Sequence, residues 1–474
     1  MSIVKYRRGL TTADPLNGID KSQLVREHPA YDHLSKQGKI SCDKFANNYL
    51  KFLDDVRIAP DVVENIRREF LKQSPTNPER TMYTNQDGTA FALFSPGQAT
   101  INSGMTIIYT HTDSPCLRAK VNPEFLEWDP NNKELHTGLE IKVMGYGGIN
   151  NHQWVGTNLE LQGWTVVDSK RIKLPKLKVY SPEVCAHTDK RAARDVSFRE
   201  AHLQEELNLV TGFRDKNSFI KRLGLRTKED FGRSAIYFTP TVKSEEIGNY
   251  YLTGYGHDDR VVVYAAVQSF FKSNPYHALL VLGFDKEECG SDGPGGANGM
   301  FFERVLNNIL LKEGIAGRLE DITQAKKLEI FGKSLAIDGD VDVGATSKEI
   351  DLIDVHNSPR LGFGTFIYGG DGTFTADQIS PYVVDYVYSS LKGRRILSQT
   401  VGVVLPADEA SHTETMNGFF VRRGIPTINI GVPAGSLHSP TEIVHKGDLY
   451  ETYRAYKAII ENSKTRRLEE VIQV

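Results

Sequence analysis

The chain has 474 residues, of which 57 are basic and 60 are acidic, and its formal net charge is −3. This length allows two or three folded units of ~150 residues, with enough apolar material for a core. Because no long run of one charge sign occurs and no apolar stretch approaches the ~20 residues of a spanning helix, we expect neither nucleic acid nor membrane as a partner.

The first third of the chain predicts helices followed by strands. Residues 1–8 include three basic side chains and no apolar stretch of signal-peptide length follows them, so we expect a cytoplasmic protein. Across residues 14–72 apolar side chains recur at helical spacing, which predicts two or three amphipathic helices. Residues 90–94 and 105–110 predict strands, and the second strand leads directly into His111.

The middle of the chain has a different character, in which β-branched segments alternate with Gly- and Asn-rich turns. Residues 139–143 and 164–167 are typical of strands, and residues 199–209 predict a helix. We therefore predict a β-rich domain inserted into a catalytic domain. The predicted bounds are 123–246 for the insertion and 1–122 with 247–474 for the two catalytic halves.

Helices and strands alternate again from residue 254 onward, which indicates an α/β fold. Residues 261–271 predict a buried helix, with Asp258 at or next to its N-cap. Further strands are predicted at 278–283, 333–337 and 426–430, and a closing helix at 448–461.

Six side chains are expected at one edge of the sheet, because functional groups in α/β folds gather beyond the carboxyl ends of the strands. Asp258 opens a helix, and five others follow predicted strand ends: His111, Glu287, Glu288, Asp338 and His438. Histidines and carboxylates together suit zinc, cobalt or manganese, and a set this large suits two ions ~3.5–4 Å apart that share a carboxylate. The pattern predicts a cocatalytic metallohydrolase.

Single residues of this set allow other interpretations. A histidine after a strand is often a hydrogen-bonded loop residue, an aspartate at a helix start is often a cap, and paired glutamates are often solvated. On extended backbone, Glu287 and Glu288 would point in opposite directions, so that one binds metal while the other carries a proton. Residues 337–342 contain three carboxylates, and only its position directly after the strand favours Asp338.

Four motifs, in order, resemble those of the M18 family of zinc aminopeptidases. They are His111–Pro115, Gly256–Arg260, Asp285–Asp292 and Leu437–Pro440. Residues 146–149 with 153–154, and residues 448–457, resemble the aminopeptidase I branch. The resemblance implies a mixed-sheet α/β zinc-peptidase domain with an inserted dimerisation domain, and zinc as the cofactor with two ions per subunit.

The resemblance also implies a role for each matching residue. Asp258 bridges the two ions, His111 and Asp338 complete the shell of one, and Glu288 and His438 complete the other. Glu287 is the general base that takes a proton from a metal-bridging water. Asp113, two residues after His111, orients that imidazole.

The implied activity is release of N-terminal amino acids from short peptides with a free N-terminus, by dimers that assemble into a dodecamer. Two segments depart from the family pattern. Residues 175–177 are Pro-Lys-Leu, whereas family members often have Pro-His-Leu at this place. In those members the histidine contributes to the active site of a neighbouring subunit. Ile367–Tyr368 stands where the acidic-specific branch has Lys-Tyr, so we expect neutral N-terminal residues to be preferred over acidic ones.

Two alternatives stay open from the sequence. One is another hydrolase on the same dinuclear site, such as a deacylase, dipeptidase or carboxypeptidase. The other is a catalytically inactive assembly protein of the same fold. The complete ligand set together with Glu287 argues against the second, because a scaffold needs neither an ion site nor a spare proton carrier.

Overall fold

The structure is a computed structural model that describes residues 29–126, 138–185, 187, 207–348, 352–368, 381–402 and 417–462. Its strands are β1 (Thr81–Thr84), β2 (Phe91–Ser95), β3 (Met105–His111), β4 (Cys116–Ala119), β5 (Phe125–Leu126), β6 (Glu140–Tyr146), β7 (Thr157–Val167), β8 (Lys170–Lys173), β9 (Leu177–Ser181), β10 (Asn208–Val210), β11 (Ala235–Pro240), β12 (Glu245–Ile247), β13 (Tyr251–Gly254), β14 (Ala278–Phe284), β15 (Leu335–Asp338), β16 (Val341–Val343), β17 (Thr365–Tyr368), β18 (Ser398–Val401), β19 (Thr427–Gly435) and β20 (Glu442–His445).

Helices cover the strands and connect many of them. They are α1 (Pro29–Asp32), α2 (Lys36–Asp55), α3 (Ala59–Gln73), α4 (Asn151–Trp154), α5 (Lys216–Arg222), α6 (Lys228–Gly232), α7 (His257–Lys272), α8 (Phe301–Lys312), α9 (Gln324–Phe331), α10 (Pro381–Lys392), α11 (Asn417–Val421) and α12 (Lys446–Asn462). Short 3-10 turns lie at Ser74–Thr76, Ile101–Ser103, Glu287–Cys289 and Leu319–Asp321. None of the helices in the described ranges has the length and apolar character that crossing a membrane requires.

A mixed sheet of twelve strands forms the larger body of the described chain. Its order is β1-β2-β14-β3-β15-β19-β20-β13-β12, with β16 and β17 paired to β19 and β18 paired to β17. The central strands β14, β3, β15 and β19 run parallel. Every residue of β3 and β14 is buried, as expected for parallel strands that carry helices on both faces.

Two apolar layers hold helices against this sheet. One layer joins residues of α2, α3, α7, α10 and α12 to one face, and the other joins α8, α9 and α11 to the opposite face. Burying each Val, Leu, Ile or Phe side chain contributes roughly 1.5–3 kcal/mol, so the two layers fix the central strands firmly. The ends of these strands therefore form a rigid platform for side chains.

The second sheet has eight strands and its own apolar core. Its order is β10-β9-β7-β11-β4-β6-β5, with β8 paired to β7. Because β10 also pairs with β6, six of these strands close into a barrel-like ring. Side chains such as Leu117, Ile141, Leu159 and Phe238 fill the interior.

The α/β fold class and most predicted elements are confirmed. The strands predicted at 105–110 and 278–283 are β3 and β14, and the helix predicted at 261–271 is the main part of α7. The strands of the second sheet lie between Cys116 and Pro240, whereas β12 (Glu245–Ile247) belongs to the large sheet. The predicted bounds of the inserted domain, 123–246, stay a prediction.

Two sequence predictions in this region need comment. Most of the helix predicted at 199–209 lies outside the described residues, but its end is wrong, because Asn208–Val210 forms β10. Asn208 and Leu209 pair with Lys142 and Ile141 of β6, and this pairing contributes to barrel closure. The tertiary hydrogen bonds of the ring thus override the local helical pattern.

Candidate metal centre

The site lies beyond the carboxyl ends of the central parallel strands. His111 is the last residue of β3 and pairs with Phe284 at the end of β14. The 3-10 turn Glu287–Cys289 follows β14, and His438 follows β19. Asp258 joins them from the first turn of α7. Five of the six side chains predicted at this edge therefore lie close together there: His111, Asp258, Glu287, Glu288 and His438.

The start of α7 has an unusual backbone that brings Asp258 into the site. The N-cap is Gly256 with φ +77°, and a Cβ there would lie 1.5 Å from Arg260 Nη1, so only glycine fits. Asp258 and Asp259 have non-helical φ and ψ angles, and the peptide between them is cis. Asp258 is thus two residues past the cap instead of being the cap.

One group of possible ligands surrounds His111. Its Nε2 lies 3.0 Å from Asp258 Oδ1 and 3.5 Å from Asp340 Oδ1. The other ring nitrogen, Nδ1, lies 3.2 Å from the carbonyl oxygen of Asp113. Burial would lower the pKa of His111, but hydrogen bonds to the carboxylates raise it well above its usual value, so without metal both ring nitrogens carry a proton. A bound cation would replace the Nε2 proton, while Nδ1–H stays bonded to the Asp113 carbonyl.

A second group surrounds His438 and shares Asp258 with the first. His438 Nε2 lies 3.4 Å from Asp258 Oδ2 and 3.4 Å from Glu288 Oε2. Its Nδ1 lies 3.2 Å from the carbonyl oxygen of Gly148. The two oxygens of Asp258 therefore face different histidines, which is the geometry that a bridging carboxylate needs.

Asp340, and not Asp338, stands in the group with His111 and Asp258. The expectation that the residue directly after the strand would join the group is therefore wrong. The register gives the reason: Asp338 pairs with Tyr109, two residues before His111. Since a strand advances ~3.3 Å per residue, two further residues bring Asp340 level with His111. Asp338 is fully buried one step deeper in the sheet.

Glu287 and Glu288 lie in a turn of 3-10 helix, so the prediction that they follow each other on extended backbone is wrong. Left-handed residues flank the turn, with φ +67° at Lys286 and +98° at Gly290. The two side chains nevertheless separate. Glu288 belongs to the groups of both histidines, whereas Glu287 belongs only to a group with His111 and Glu288.

Two buried carboxylates hold the backbone of the site. Asp113 accepts hydrogen bonds from the amides of Glu287 at 3.2 Å and Glu288 at 3.3 Å. Glu442 accepts from the amides of Asp258 at 3.0 Å and His438 at 2.9 Å. Each carboxylate thus fixes two residues of the groups described above.

Burial and mutual repulsion shift the proton affinities of these groups. Burial raises the pKa of Glu287 to about 8, with the Asp340 and Asp258 carboxylates acting in the same direction. Burial would lower the pKa of His438, but Asp258 and Glu442 raise it to about 9. Burial would raise the pKa of Asp258, yet hydrogen bonds to His111 and His438 hold it below its usual value. Buried carboxylates this close together repel one another, and a bound cation would relieve the repulsion.

The donor set fits zinc. Ligand atoms ~2.1 Å from a tetrahedral ion are roughly 3.4 Å apart. The four separations between imidazole nitrogens and carboxylate oxygens given above range from 3.0 to 3.5 Å. Glu288 Oε1 is buried and accepts no hydrogen bond from any described residue, which is a costly arrangement unless a cation binds there. Neutral imidazole with carboxylate is a common zinc environment.

Sequence reasoning missed three contributors to this centre: Asp340, Glu442 and Gly148. Asp340 was one of three neighbouring carboxylates, and only the strand register separates them. Glu442 lies four residues after His438, a spacing that gave no signal in itself. Gly148 contributes a carbonyl, which no side-chain pattern can reveal.

Comparison with known proteins matches most of the chain to one group of enzymes. The sequence profile of the aminopeptidase I zinc metalloprotease family (M18) matches residues 67–459. A probable M18 family aminopeptidase 1 of Thermotoga neapolitana is 29% identical over 455 residues, covering 89% of this chain and 96% of the relative.

Solved structures agree with the sequence match. The crystal structure of an M18 family aminopeptidase from Thermotoga maritima superposes with a TM-score of 0.80 at 25% identity, covering 91% of this chain and 98% of that one. The mApe1 dodecamer of S. cerevisiae has a TM-score of 0.67 at 14% identity, covering 91% and 98%, and supports the fold alone.

Proposed function

The chain belongs to the aminopeptidase I zinc metalloprotease family (M18) and is a metallo-aminopeptidase, a peptide hydrolase; from that premise we propose a dinuclear zinc enzyme that releases neutral N-terminal residues from short peptides. The observation that carries the dinuclear proposal is the pair of Asp258 oxygens, Oδ1 facing His111 and Oδ2 facing His438. One carboxylate between two histidine-containing groups is suited to join two ions.

In this proposal each ion has its own ligands besides the shared Asp258. His111 and Asp340 would hold one ion, and Glu288 and His438 would hold the other. Asp340 takes the role first expected of Asp338, because Asp340 Oδ1 lies 3.5 Å from His111 Nε2. Cobalt or manganese would suit the same donors.

Bound zinc would polarise the scissile carbonyl and lower the pKa of a water at the centre. Glu287 is the proposed general base, since it lies beside His111 and Glu288 but outside both groups that contain Asp258. Its carboxylate takes a proton from the attacking water and returns it to the leaving amine. Asp113 keeps Glu287 in place through the backbone amide and lies 3.4 Å from His111 Nδ1, measured at Oδ1.

One feature supports a neutral N-terminal residue. The position that carries lysine in the acidic-specific branch is Ile367, whose side chain is fully buried in the core and offers no cation. An acidic substrate side chain would therefore find no positive partner at this position.

The test combines elemental analysis of the protein with a panel of aminoacyl fluorophores. Leu and Ala substrates are compared with Asp and Glu substrates, and acetyl-Leu serves as the blocked control. We expect two zinc ions per chain, turnover that a chelator removes and zinc restores, and faster release of Leu than of Asp. Cleavage of acetyl-Leu would favour a deacylase, one ion per chain would refute the dinuclear site, and faster Asp release would refute the neutral preference.

We also propose that the protein is a homo-oligomer in which the second sheet is the dimerisation lobe. Exposed apolar side chains on that sheet support this proposal: Val166, Ile172 and Tyr180 are 57%, 45% and 41% exposed. The related mApe1 of S. cerevisiae forms a dodecamer. Native mass spectrometry should give twelve times the 53.0 kDa chain mass, and a monomer would contradict the proposal.

A further inference from the structure

One turn of the second sheet reaches both histidine groups of the candidate centre. Tyr146 ends β6, and Gly147 and Gly148 follow it. A Cβ at Gly147 would lie 3.2 Å from Glu288 Oε2, and a Cβ at Gly148 would lie 3.5 Å from His438 Nδ1. The turn therefore packs directly against two of the proposed zinc ligands.

Tyr146 is linked to the centre by its hydroxyl group, which donates a hydrogen bond of 2.7 Å to Asp113 Oδ2. Burial, followed by the Asp113 and Asp285 carboxylates, raises the pKa of Tyr146 above its usual value, so the phenol keeps its proton and remains a donor. The same Asp113 oxygen accepts from the amide of Glu288 at 3.3 Å. Tyr146 thus restrains the carboxylate on which the Glu287–Glu288 turn depends.

Asp113 contacts both His111 and the Glu287 backbone. Its Oδ1 lies 3.4 Å from His111 Nδ1 and accepts from the amide of Glu287 at 3.2 Å. A rotation of the Asp113 carboxylate would therefore move an imidazole ligand and the general base together. Small misplacements of this kind are costly for catalysis, because proton transfer needs close and well-aligned partners.

The ring of Tyr146 is held by contacts that do not involve its hydroxyl. The Arg118 guanidinium lies 5.1 Å from the centroid of the Tyr146 ring and 4.4 Å from that of Tyr237. Tyr146 also pairs with Cys116 in the ladder between β4 and β6. Tyr146→Phe would keep these ring contacts and remove the hydroxyl, which donates to Asp113 and accepts a long contact of 3.5 Å from Cys289 Sγ.

We propose that Tyr146 is a positioning residue for peptide hydrolysis, whose hydroxyl holds Asp113 in the orientation that places Glu287, Glu288 and His111. This inference rests on the proposed dinuclear site. It makes the second sheet a functional part of the active site, since the residue that fixes the general base belongs to β6. The Gly148 carbonyl on the same turn orients His438, so both groups depend on this one segment.

The test compares Tyr146→Phe with Tyr237→Phe, a matched control that removes a hydroxyl from the other ring against Arg118. Removing a residue that hydrogen-bonds a metal ligand directly commonly lowers activity or metal affinity about 10–100-fold. Tyr146 acts one step further away, so we expect kcat to fall about three- to tenfold, with KM for a Leu peptide unchanged. Zinc release to a competing chelator should accelerate by a similar factor. Tyr237→Phe should match the wild type in both measurements.

A double-mutant cycle with Asp113→Asn separates positioning from a general effect on folding. If Tyr146 acts through Asp113, adding Tyr146→Phe to Asp113→Asn should change kcat and zinc release little. Additive losses, or equal behaviour of the two tyrosine variants, would overturn the proposal. A wild type that cleaves no free-amine peptide would refute the proposed function instead, and zinc release would still test the role of Tyr146.

Discussion

Replacing Glu287 with glutamine should separate catalysis from metal binding. The variant keeps the shape of the side chain and the backbone amide that donates to Asp113, but it has no basic oxygen. A positioned general base contributes about 10²–10⁴-fold, or roughly 3–5 kcal/mol of activation free energy. We therefore expect kcat of Glu287→Gln to fall at least about a hundredfold, while both zinc ions remain bound.

The same variant should be more stable than the wild type when metal is removed. Burial raises the pKa of Glu287 from 4.5 to about 8, so the folded protein keeps a proton that the unfolded chain releases. The contribution of Glu287 to stability is complete below its ordinary pKa and is lost as the pH rises through the folded pKa. At pH 7 this loss is on the order of 3 kcal/mol, since each pKa unit corresponds to about 1.4 kcal/mol. Glutamine has no such proton to lose.

Three measurements check this prediction. Elemental analysis gives the zinc content, steady-state kinetics on a Leu substrate gives kcat, and thermal unfolding of the chelated proteins at pH 5 and pH 8 gives the stability. Glu320→Gln serves as the control because that side chain is 68% exposed. Near-normal kcat would refute the role as general base. A chelated variant that melts no higher than the wild type at pH 8 would refute the argument from burial.

Further predictions concern the ligand set and the fold. Asp340→Asn should weaken zinc binding about tenfold or more in a chelator titration, whereas Asp338→Asn should keep the wild-type zinc content; equal losses would contradict the register argument. Removing zinc should lower the midpoint of thermal unfolding, because the clustered carboxylates lose the cation that stabilises the folded state; an unchanged midpoint would argue against a resident ion. Asp448→Asn should lower the free energy of unfolding in urea by about 1–3 kcal/mol. Asp448 accepts 2.7 Å hydrogen bonds from the amides of both Gly362 and Gly364, whereas asparagine has one acceptor oxygen. An unaltered free energy of unfolding would contradict this prediction.

Sequence patterns predicted the parts of the site that depend on sheet architecture. His111 and His438 follow apolar runs that predict buried strands, and parallel strands bring their carboxyl ends to one edge. Glu287 and Glu288 follow β14 for the same reason. The sequence alone therefore predicts the position of these four side chains at the sheet edge, because strand polarity determines it.

What could not be predicted depends on register and on irregular backbone. The choice between Asp338 and Asp340 requires knowing that β15 pairs with residues 106–109 of β3 and stops short of His111. The 3-10 turn after β14 depends on a non-glycine residue, Lys286, in the left-handed region, which local preferences disfavour. The contacts of Tyr146 and Gly148 come from a separate sheet, and no local pattern encodes them.

The wide spacing of the site along the chain has a consequence for folding. The amide of His111 bonds to Asp259 across 148 residues, and the ring of His438 meets the Gly148 carbonyl across 290. We expect such distant pairs to form after local ones, because closing a long loop costs conformational entropy before the contact stabilises the fold. The barrel strands lie between His111 and Asp258 in the chain, so we expect the first histidine group to close no earlier than the barrel collapses. Zinc uptake during refolding should thus coincide with the final step of assembly, and the metal would bind only chains that have completed both sheets.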